Sequence, residues 1–269
     1  MKSKQRVAVI IPGGIGTGRD NIGVPVLEQI ISLLAQDFDV TVFQLFKVNR
    51  GYTARGFNLI EVYSTSPVLK YIRLFSIFRK VHRQQKFDVV HGFWILPNGF
   101  FSVLFGKFFG IKSIVSILGG DAISLPQIKY GQLQKPLYKK LIFWTLRHAD
   151  RANALTHYLI NNLRNAGFER KDFEVIPWGI DTEVFRYVDK PLQNPIRFLH
   201  IANLHPVKDQ RTMLLAFDKI RKEIPSKLLM IGEGVLEDDL RKLILEFDLR
   251  AYVEMMGPFT KTLGESYWL

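Results

Sequence analysis

The chain of 269 residues contains no cysteine. It therefore has no disulfide framework, no thiolate metal site and no cysteine nucleophile, which fits a reducing compartment. Long apolar runs are also missing. The nearest to a membrane span is FFSVLFGKFFGI at 100–111, which Lys107 interrupts and which falls short of the roughly 18 apolar residues that a span needs. The apolar part of the N-terminal segment, 7–12, is too short for a secretory signal. We therefore expect a cytoplasmic protein.

Acidic residues are scarce relative to basic ones. The chain has 37 Lys and Arg against 25 Asp and Glu, which leaves a net charge of +12. Such an excess favours anionic partners, namely nucleic acid, phosphorylated substrates or an acidic membrane surface. No nucleic-acid recognition motif accompanies the charge, so we expect no nucleic-acid partner.

Short apolar runs alternate with segments of helical periodicity along the first two thirds of the chain. Strands separated by helices of this length indicate parallel βαβ units, because a parallel crossover needs a dozen or more residues. We predict strands at 6–11, 39–46, 57–63, 88–93, 113–118, 151–156 and 173–177. We predict helices at 24–34, 68–86, 98–109, 135–148 and 157–166.

A polar segment with two prolines at 186–195 is typical of a linker. We therefore predict an α/β fold with two Rossmann-like parallel-sheet domains, at 1–187 and 195–269. The second contains predicted strands at 196–202, 227–234 and 252–257 and predicted helices at 209–222 and 236–247. With so few strands we expect this domain to be incomplete and marginally stable. Its apolar residues short of partners would include Leu228, Met230, Ile231, Met255 and Met256.

The loop PGGIGTGRD at 12–20 follows a predicted strand and precedes a helix. This context suits phosphate binding by backbone N–H groups. The loop misses the dinucleotide fingerprint, because Gly14 and Gly16 are followed by Gly18 one residue early and no acidic residue ends the second strand. It also misses the Walker A loop, because Arg-Asp replaces the Lys and the hydroxyl. Two interpretations stay open. In one, the glycines only turn the chain. In the other, the loop faces the substrate in a protein family that uses neither of these two motifs.

His91 and Asp121 stand close to the ends of two predicted strands, in DVVHGF and SILGGD. Ligands bind at the carboxyl ends of strands in open α/β sheets. A lone His or Asp at such a place more commonly caps or fixes a loop. Two of them at neighbouring strand ends favour a shared cleft.

Two predicted helices, 68–86 and 135–148, carry basic side chains on one side and aromatic or aliphatic side chains on the other. One interpretation is the solvated outer face of a packed helix. The other is an interfacial helix that lies against anionic lipid. The second interpretation places the protein at the inner face of the membrane through a peripheral contact.

The stretch VIPWGIDTEVF at 175–185 resembles the inter-domain signature of glycosyltransferase family 4, a family of retaining enzymes with the two-domain GT-B fold. The likeness continues in the second domain with ANLHPVKDQRTMLLAF at 202–217, KLLMIGEGVLEDDLRKLILEFDL at 227–249 and VEMMGPF at 253–259. In the first domain, DVVHGF and SILGGD occupy the positions expected for acceptor binding.

The resemblance implies that a sugar passes from a nucleotide-sugar donor to a lipid or glycan acceptor with retention, without a metal or other cofactor. Lys208 would balance the charge of the leaving diphosphate, and His91 and Asp121 would lie on the acceptor side near the transferring sugar. Without a placed carboxylate nucleophile, the resemblance implies front-side attack, with the leaving phosphate taking the acceptor's proton. The residues implied on the donor side are Gly14, Gly16, Asn203, Lys208, Gly232 and Gly234.

The sequence departs from the family pattern at three places. Asn203 stands where the family commonly has Arg, and Leu118 replaces the His of a His-Gly-x-Asp motif. The later Glu-x7-Glu motif, which holds sugar and ribose, belongs well beyond Gly257, and Glu265 comes too early for it. We therefore expect a C-terminally truncated chain. The alternatives are an inactive fragment that binds acceptor or membrane through its first domain, and a two-domain protein that binds a small molecule.

Overall fold

A computed structural model describes residues 4–18, 23–183, 185–187, 189, 191 and 194–258. The chain forms two compact units, Met1–Asp181 and Thr182–Leu269. Residues 182–187, which the sequence places with the first domain, belong to the second unit. Arg19, Asp20 and Glu265 lie outside the described residues.

The first unit is built on a parallel sheet of seven strands in the order β3-β2-β1-β4-β5-β6-β7. Because every neighbouring pair is parallel, all strands point their carboxyl ends to the same edge. The strands are β1 Arg6–Ile11, β2 Asp39–Gln44, β3 Asn58–Glu61, β4 Val89–Phe93, β5 Lys112–Ile117, β6 Arg151–Ala154 and β7 Phe173–Val175.

Five helices connect these strands: α1 Pro25–Asp37, α2 Pro67–Gln84, α3 Phe100–Phe109, α4 Pro136–His148 and α5 His157–Asn165. Proline opens α1, α2 and α4, where a missing N–H costs nothing. Ser66 and Thr156 cap α2 and α5 with their hydroxyls. Helix α1 packs on one face of the sheet and α2 to α5 pack on the other.

The core between α2, α3 and the sheet is largely aromatic. The ring of Phe78 lies 4.5 Å from that of Phe105 and 5.2 Å from those of Phe43 and Phe87. Phe78 is fully buried. Rings in such tilted arrangements add to the stabilisation from apolar burial, so this cluster fixes α2 against the sheet.

The turn after β7 contains Trp178. Its ring is half-buried in the α1 core and lies 6.3 Å from the ring of Phe93. Gly179 has room for a side chain, since an added Cβ would meet no described atom within 4 Å. Packing of Trp178 therefore fixes this turn, and space at position 179 does not require glycine.

The second unit has a parallel sheet of three strands in the order β10-β9-β8. The strands are β8 Ile196–Ile201, β9 Ser226–Ile231 and β10 Val253–Met255, and the helices are α6 Gln210–Glu223 and α7 Glu237–Glu246. The predicted α/β fold with two parallel sheets is confirmed, and each predicted strand and helix is present close to its predicted position.

The expectation about apolar residues in the second unit is wrong in detail. Leu228, Met230 and Ile231 are buried, and Met255 and Met256 are partly buried. Helices α6 and α7 suffice to cover Leu228 and Met230 on one face of three short strands. On the sheet itself, β8 exposes Leu199 and Ile201, at 48% and 46%.

We expect Phe78→Ala to lower the free energy of unfolding of the first unit by about 3–5 kcal/mol, because it opens a cavity in the aromatic core. Phe108→Ala is the control, since that ring is 67% exposed and its loss should change stability by about 0.5 kcal/mol or less. Urea denaturation followed by circular dichroism measures both. Equal effects of the two substitutions would contradict the assignment of Phe78 to the core.

Candidate active site

The glycine loop leaves β1 at the carboxyl edge of the first sheet. Gly14 and Gly16 have φ angles of +111° and +56°, which favour glycine over other residues. Gly16 also lies against the ring of Tyr52, and a Cβ there would come within 2.4 Å of it. Gly14 accepts a hydrogen bond from the N–H of Val24, at the start of α1, at 2.7 Å. The loop therefore needs glycine for both conformation and space.

The buried amide of Gln44, the last residue of β2, holds this loop. The backbone N–H of Ile15 donates to its Oε1 at 3.1 Å, and its Nε2 donates to the carbonyl of Ile15 at 2.9 Å. Asn49 adds a bond from its Nδ2 to the carbonyl of Gly18 at 2.7 Å. The sequence analysis missed Gln44, although a polar residue ending an apolar strand is a detectable signal. These bonds set the loop's position before any ligand binds.

The ring of Tyr52 packs against the glycine loop at Gly16, and Glu28 of α1 fixes the position of this tyrosine. Its hydroxyl donates a short hydrogen bond to the carboxylate of Glu28. Burial, and then this carboxylate, raise the pKa of Tyr52 well above its ordinary value. The tyrosine is therefore a neutral support for the loop.

His91 lies inside β4, two residues before the strand ends, rather than at the strand end as predicted. Its Nε2 lies 2.7 Å from the hydroxyl of Ser116, which donates to Oδ1 of Asn153 at 2.7 Å. The ring stacks on Phe93 with 4.4 Å between centroids. Burial lowers the pKa of His91 to about 4, so the imidazole is neutral near pH 7.

Asp121 lies in a short helical turn after β5, and its carboxylate is buried. Oδ2 accepts from the N–H of Ile95 at 2.9 Å, and Oδ1 accepts from the N–H of Gly119 at 2.8 Å. Burial raises the pKa of Asp121, and these backbone donors oppose that effect. Both oxygens thus tie together the loops that follow β4 and β5. No hydrogen bond joins Asp121 to His91 in the described structure, and a catalytic role for either stays a prediction.

The second-unit residues that the resemblance predicts on the donor side lie at the carboxyl edge of its sheet. Asn203 follows β8, and Gly232 and Gly234 follow β9. A Cβ at Gly232 would come 1.9 Å from the carbonyl oxygen of Ala202, and one at Gly234 would come 2.3 Å from that of Leu204. The two loops therefore run backbone against backbone, which only glycine allows.

Lys208 is exposed at the end of a short turn before α6. Burial and then the charge of Lys208 lower the pKa of His200. Gln210 is fully buried, and its Nε2 donates to the carbonyl of Asn203 at 3.0 Å and lies 3.4 Å from Nε2 of His200. Gln210 was missed by the sequence analysis. Gln210 lies two residues after Lys208 and bonds to the loop that contains Asn203.

A sequence model of glycosyltransferase family 4 matches residues 23–184, more than half of the chain. The chain belongs to glycosyltransferase family 4. The family prediction is thus confirmed, and glycosyl transfer is the activity of the family.

Two curated relatives are each 25% identical to this family 4 chain. N-acetyl-alpha-D-glucosaminyl L-malate synthase of Bacillus anthracis matches over 225 residues, 79% of this chain and 57% of the relative. N-acetylgalactosamine-N,N'-diacetylbacillosaminyl-diphospho-undecaprenol 4-alpha-N-acetylgalactosaminyltransferase of Campylobacter jejuni matches over 203 residues, 72% of this chain and 53% of the relative. The chain thus spans about half the length of these relatives.

The fold is similar to that of solved structures. Anabaena HepE, solved in complex with UDP and glucose, has a TM-score of 0.68 at 13% identity, with 95% of this chain and 70% of that chain covered. The two parallel-sheet units of the family 4 chain are of the GT-B type.

The described residues contain no helix with the length and apolar character needed to cross a bilayer. They also contain no group of three or more His, Asp or Glu side chains placed to hold a metal ion. The expectation that the reaction needs no metal stays a prediction.

We expect the stability of the first unit to depend on His91 between pH 7 and pH 5. The unfolded imidazole binds a proton below about pH 6.5, whereas the folded one does so only below about 4. Stability is therefore lost as the pH falls through this window, by about 2 kcal/mol between pH 7 and pH 5. His91→Gln should remove that part of the pH dependence in urea unfolding. His157→Gln, at an exposed position, is the control, and an equal change in both variants would contradict the assignment.

We expect Gly232→Ala to destabilise the second unit by about 1–3 kcal/mol, because the new methyl group meets backbone atoms that cannot yield. Gly257→Ala is the control that separates the cost of close contact from the cost of the backbone conformation. Gly257 has a φ of +75° but no described atom within 4 Å of an added Cβ, so it should cost about 1 kcal/mol. Thermal unfolding measures both variants. Equal costs would show that close approach is not what requires Gly232.

Proposed function

We propose that the chain transfers a hexosyl-type sugar from a nucleotide-diphosphate sugar to a hydroxyl of a lipid or glycan acceptor, with retention. The observation that carries the proposal is the edge of the second sheet. There Lys208, whose ammonium group is exposed, ends the turn that follows the Asn203 loop, and this loop lies backbone against backbone with the loop of Gly232 and Gly234. A diphosphate needs a cation and backbone donors at its oxygens.

The relatives support the same chemistry. HepE has been solved with UDP and glucose, which are the parts of a nucleotide sugar. The Campylobacter relative is named as an N-acetylgalactosaminyltransferase that acts on a diphospho-undecaprenol-linked sugar, which is a lipid-linked acceptor. We propose that this chain uses a donor and an acceptor of these classes.

In the proposed reaction the bond between the sugar's anomeric carbon and the leaving phosphate oxygen breaks. The acceptor oxygen bonds to the same carbon on the same face, and its proton passes to the leaving phosphate oxygen. Lys208 stabilises the negative charge that grows on the diphosphate, a contribution that is largest in the transition state. The Gln44 amide holds the glycine loop of the first unit in one position.

His91 and Asp121 have narrower proposed roles than the sequence suggests. A histidine with a pKa of about 4 acts near pH 7 as a neutral hydrogen-bonding group on the acceptor side. Asp121 uses both carboxylate oxygens on backbone N–H groups. We propose that it positions the loops after β4 and β5, beside the transferring sugar.

We expect Lys208→Ala to lower the rate of sugar transfer by about 100-fold or more, the usual effect of removing one group that stabilises developing charge. Lys227→Ala, at an exposed lysine of β9, should leave the rate unchanged. The assay supplies radiolabelled nucleotide sugars and a pool of lipid and glycan acceptors to the purified chain. Absence of transfer from every donor would contradict the proposal and favour an inactive chain that only binds acceptor or membrane.

A further inference from the structure

The positive charge of the chain is concentrated in one segment. Residues 62–149 contain thirteen Lys and Arg but only two acidic residues, Asp88 and Asp121. They hold an excess of eleven positive charges out of the twelve of the whole chain. Asp121 is buried and bonded to backbone, so it does little to offset the charge at the surface.

Large apolar side chains are exposed on the same segment. On the first two turns of α2, Val68, Leu69 and Ile72 are 68%, 55% and 55% exposed. At the start of α4, Leu137 and Tyr138 are 66% and 39% exposed. Scattered exposed apolar residues are ordinary, but clustered ones mark interaction sites. We call these five residues, together with Lys70, Arg73, Lys135, Lys139 and Lys140, the α2–α4 surface.

Helix α3 lies between the two helices that form the α2–α4 surface and contacts both. Tyr71 of α2 stacks on Phe101 of α3 with 4.7 Å between centroids. Phe100, the neighbour of Phe101, lies 5.4 Å from the ring of Trp144 on α4. This row of rings joins α2 to α4 through α3, and all three helices pack on the same face of the sheet.

The basic side chains of this surface are not neutralised by carboxylates. Within the described part of the chain, the ion pairs that form involve other cations, such as Arg6 with Asp39, Arg170 with Asp172 and Lys222 with Asp218. Three of its four lysines instead lie over aromatic rings, and Arg73 donates to the carbonyl of Tyr63 at 2.9 Å. Lys135 is 5.1 Å from the ring of Tyr138, and Lys139 is 5.5 Å from that of Phe143. Unpaired cations beside exposed apolar groups complement an anionic bilayer, which offers phosphates above hydrocarbon.

The α2–α4 surface adjoins the glycine loop. In parallel crossovers a helix begins near the carboxyl end of the preceding strand, so α2 and α4 both start at the edge where the loop leaves β1. Phe46 connects the two features. A Cβ at Gly13 would come 2.8 Å from its ring, and Lys70 lies 5.4 Å from its centroid on the other side.

We infer that the α2–α4 surface binds an anionic lipid bilayer, with the apolar residues at the hydrocarbon boundary and the lysines and Arg73 at the phosphates. This orientation holds the glycine loop beside the membrane. The acceptor is then a lipid-linked molecule presented from the bilayer, a conclusion that rests on the proposed function. Membrane binding itself does not require sugar transfer.

The test is co-sedimentation of the whole chain, without donor, with phosphatidylcholine vesicles and with vesicles of equal parts phosphatidylcholine and phosphatidylglycerol. We expect binding only to the anionic vesicles and a decline as salt rises. Val68→Ser/Leu69→Ser/Ile72→Ser should weaken binding about tenfold or more, and Lys70→Gln/Arg73→Gln/Lys140→Gln should weaken it about fivefold per charge removed.

Matched control variants change exposed residues elsewhere. Leu33→Ser/Tyr158→Ser/Leu245→Ser removes three exposed apolar side chains from α1, α5 and α7. Lys219→Gln/Lys227→Gln/Arg250→Gln removes three exposed charges from the second unit. Both controls should bind as the original chain does, and circular dichroism checks that every variant folds.

Several outcomes would overturn the inference. They are no vesicle binding, equal binding to both vesicle types, or an α2 apolar variant that binds like its control. Sedimentation velocity tests whether a second copy of the chain, rather than a bilayer, covers the α2–α4 surface. A dimer that the α2 apolar variant abolishes would assign the surface to a second copy of the chain. Because no donor is present, these results are independent of whether the chain transfers sugar.

Discussion

Parallel pairing of strands is the constraint on which the candidate site depends. In a parallel sheet every strand ends at the same edge, and every connecting segment begins there. The glycine loop after β1, the loop tied by Asp121 after β5, and the first turns of α2 and α4 therefore lie along one edge of the sheet although they are far apart in sequence. The smaller sheet collects Asn203, Lys208 and the two loop glycines by the same rule.

Buried polar side chains turn this shared edge into loops of defined shape. Gln44, Asp121 and Gln210 are each almost fully buried, and each bonds to the backbone of a loop that follows a strand. An unpaired polar group in such a place costs far more than a made bond gains. The loops therefore stay where both polar atoms of the Gln44 and Asp121 side chains and the Nε2 of Gln210 find partners, which orders the backbone groups before a ligand binds.

The sequence predicts the fold well because hydrophobic periodicity reports local burial. Strands such as β1 and helices such as α2 are present close to where the pattern places them. The shape of the site is less accessible, because contacts between distant loops leave no periodic signal. The bonds of Asp121 to the loop after β4, and the closeness of Gly232 to Ala202, appear only in three dimensions.

Which apolar side chains of the second unit are buried is likewise predicted only in part from the sequence. The apolar residues of β9 indicate a need for cover, but the sequence does not reveal that two helices supply it on one face. On β8, by contrast, Leu199 and Ile201 are exposed and point away from the face that α6 and α7 cover. A count of strands alone therefore misidentifies the residues that lack partners.

The positions of the charges along the chain indicate where each of two proposed anionic ligands, the donor diphosphate and the bilayer, would bind. The net charge alone does not indicate this. Residues 182–269, which hold the residues proposed to bind the donor, contain thirteen basic and thirteen acidic residues and are formally neutral. A diphosphate is recognised by a few well-placed groups, such as one ammonium and several N–H donors, and does not require a domain-wide charge. The excess lies instead across the helices of the first unit. Many unpaired cations spread over a surface suit an extended anionic partner, whose many phosphates each meet one of them.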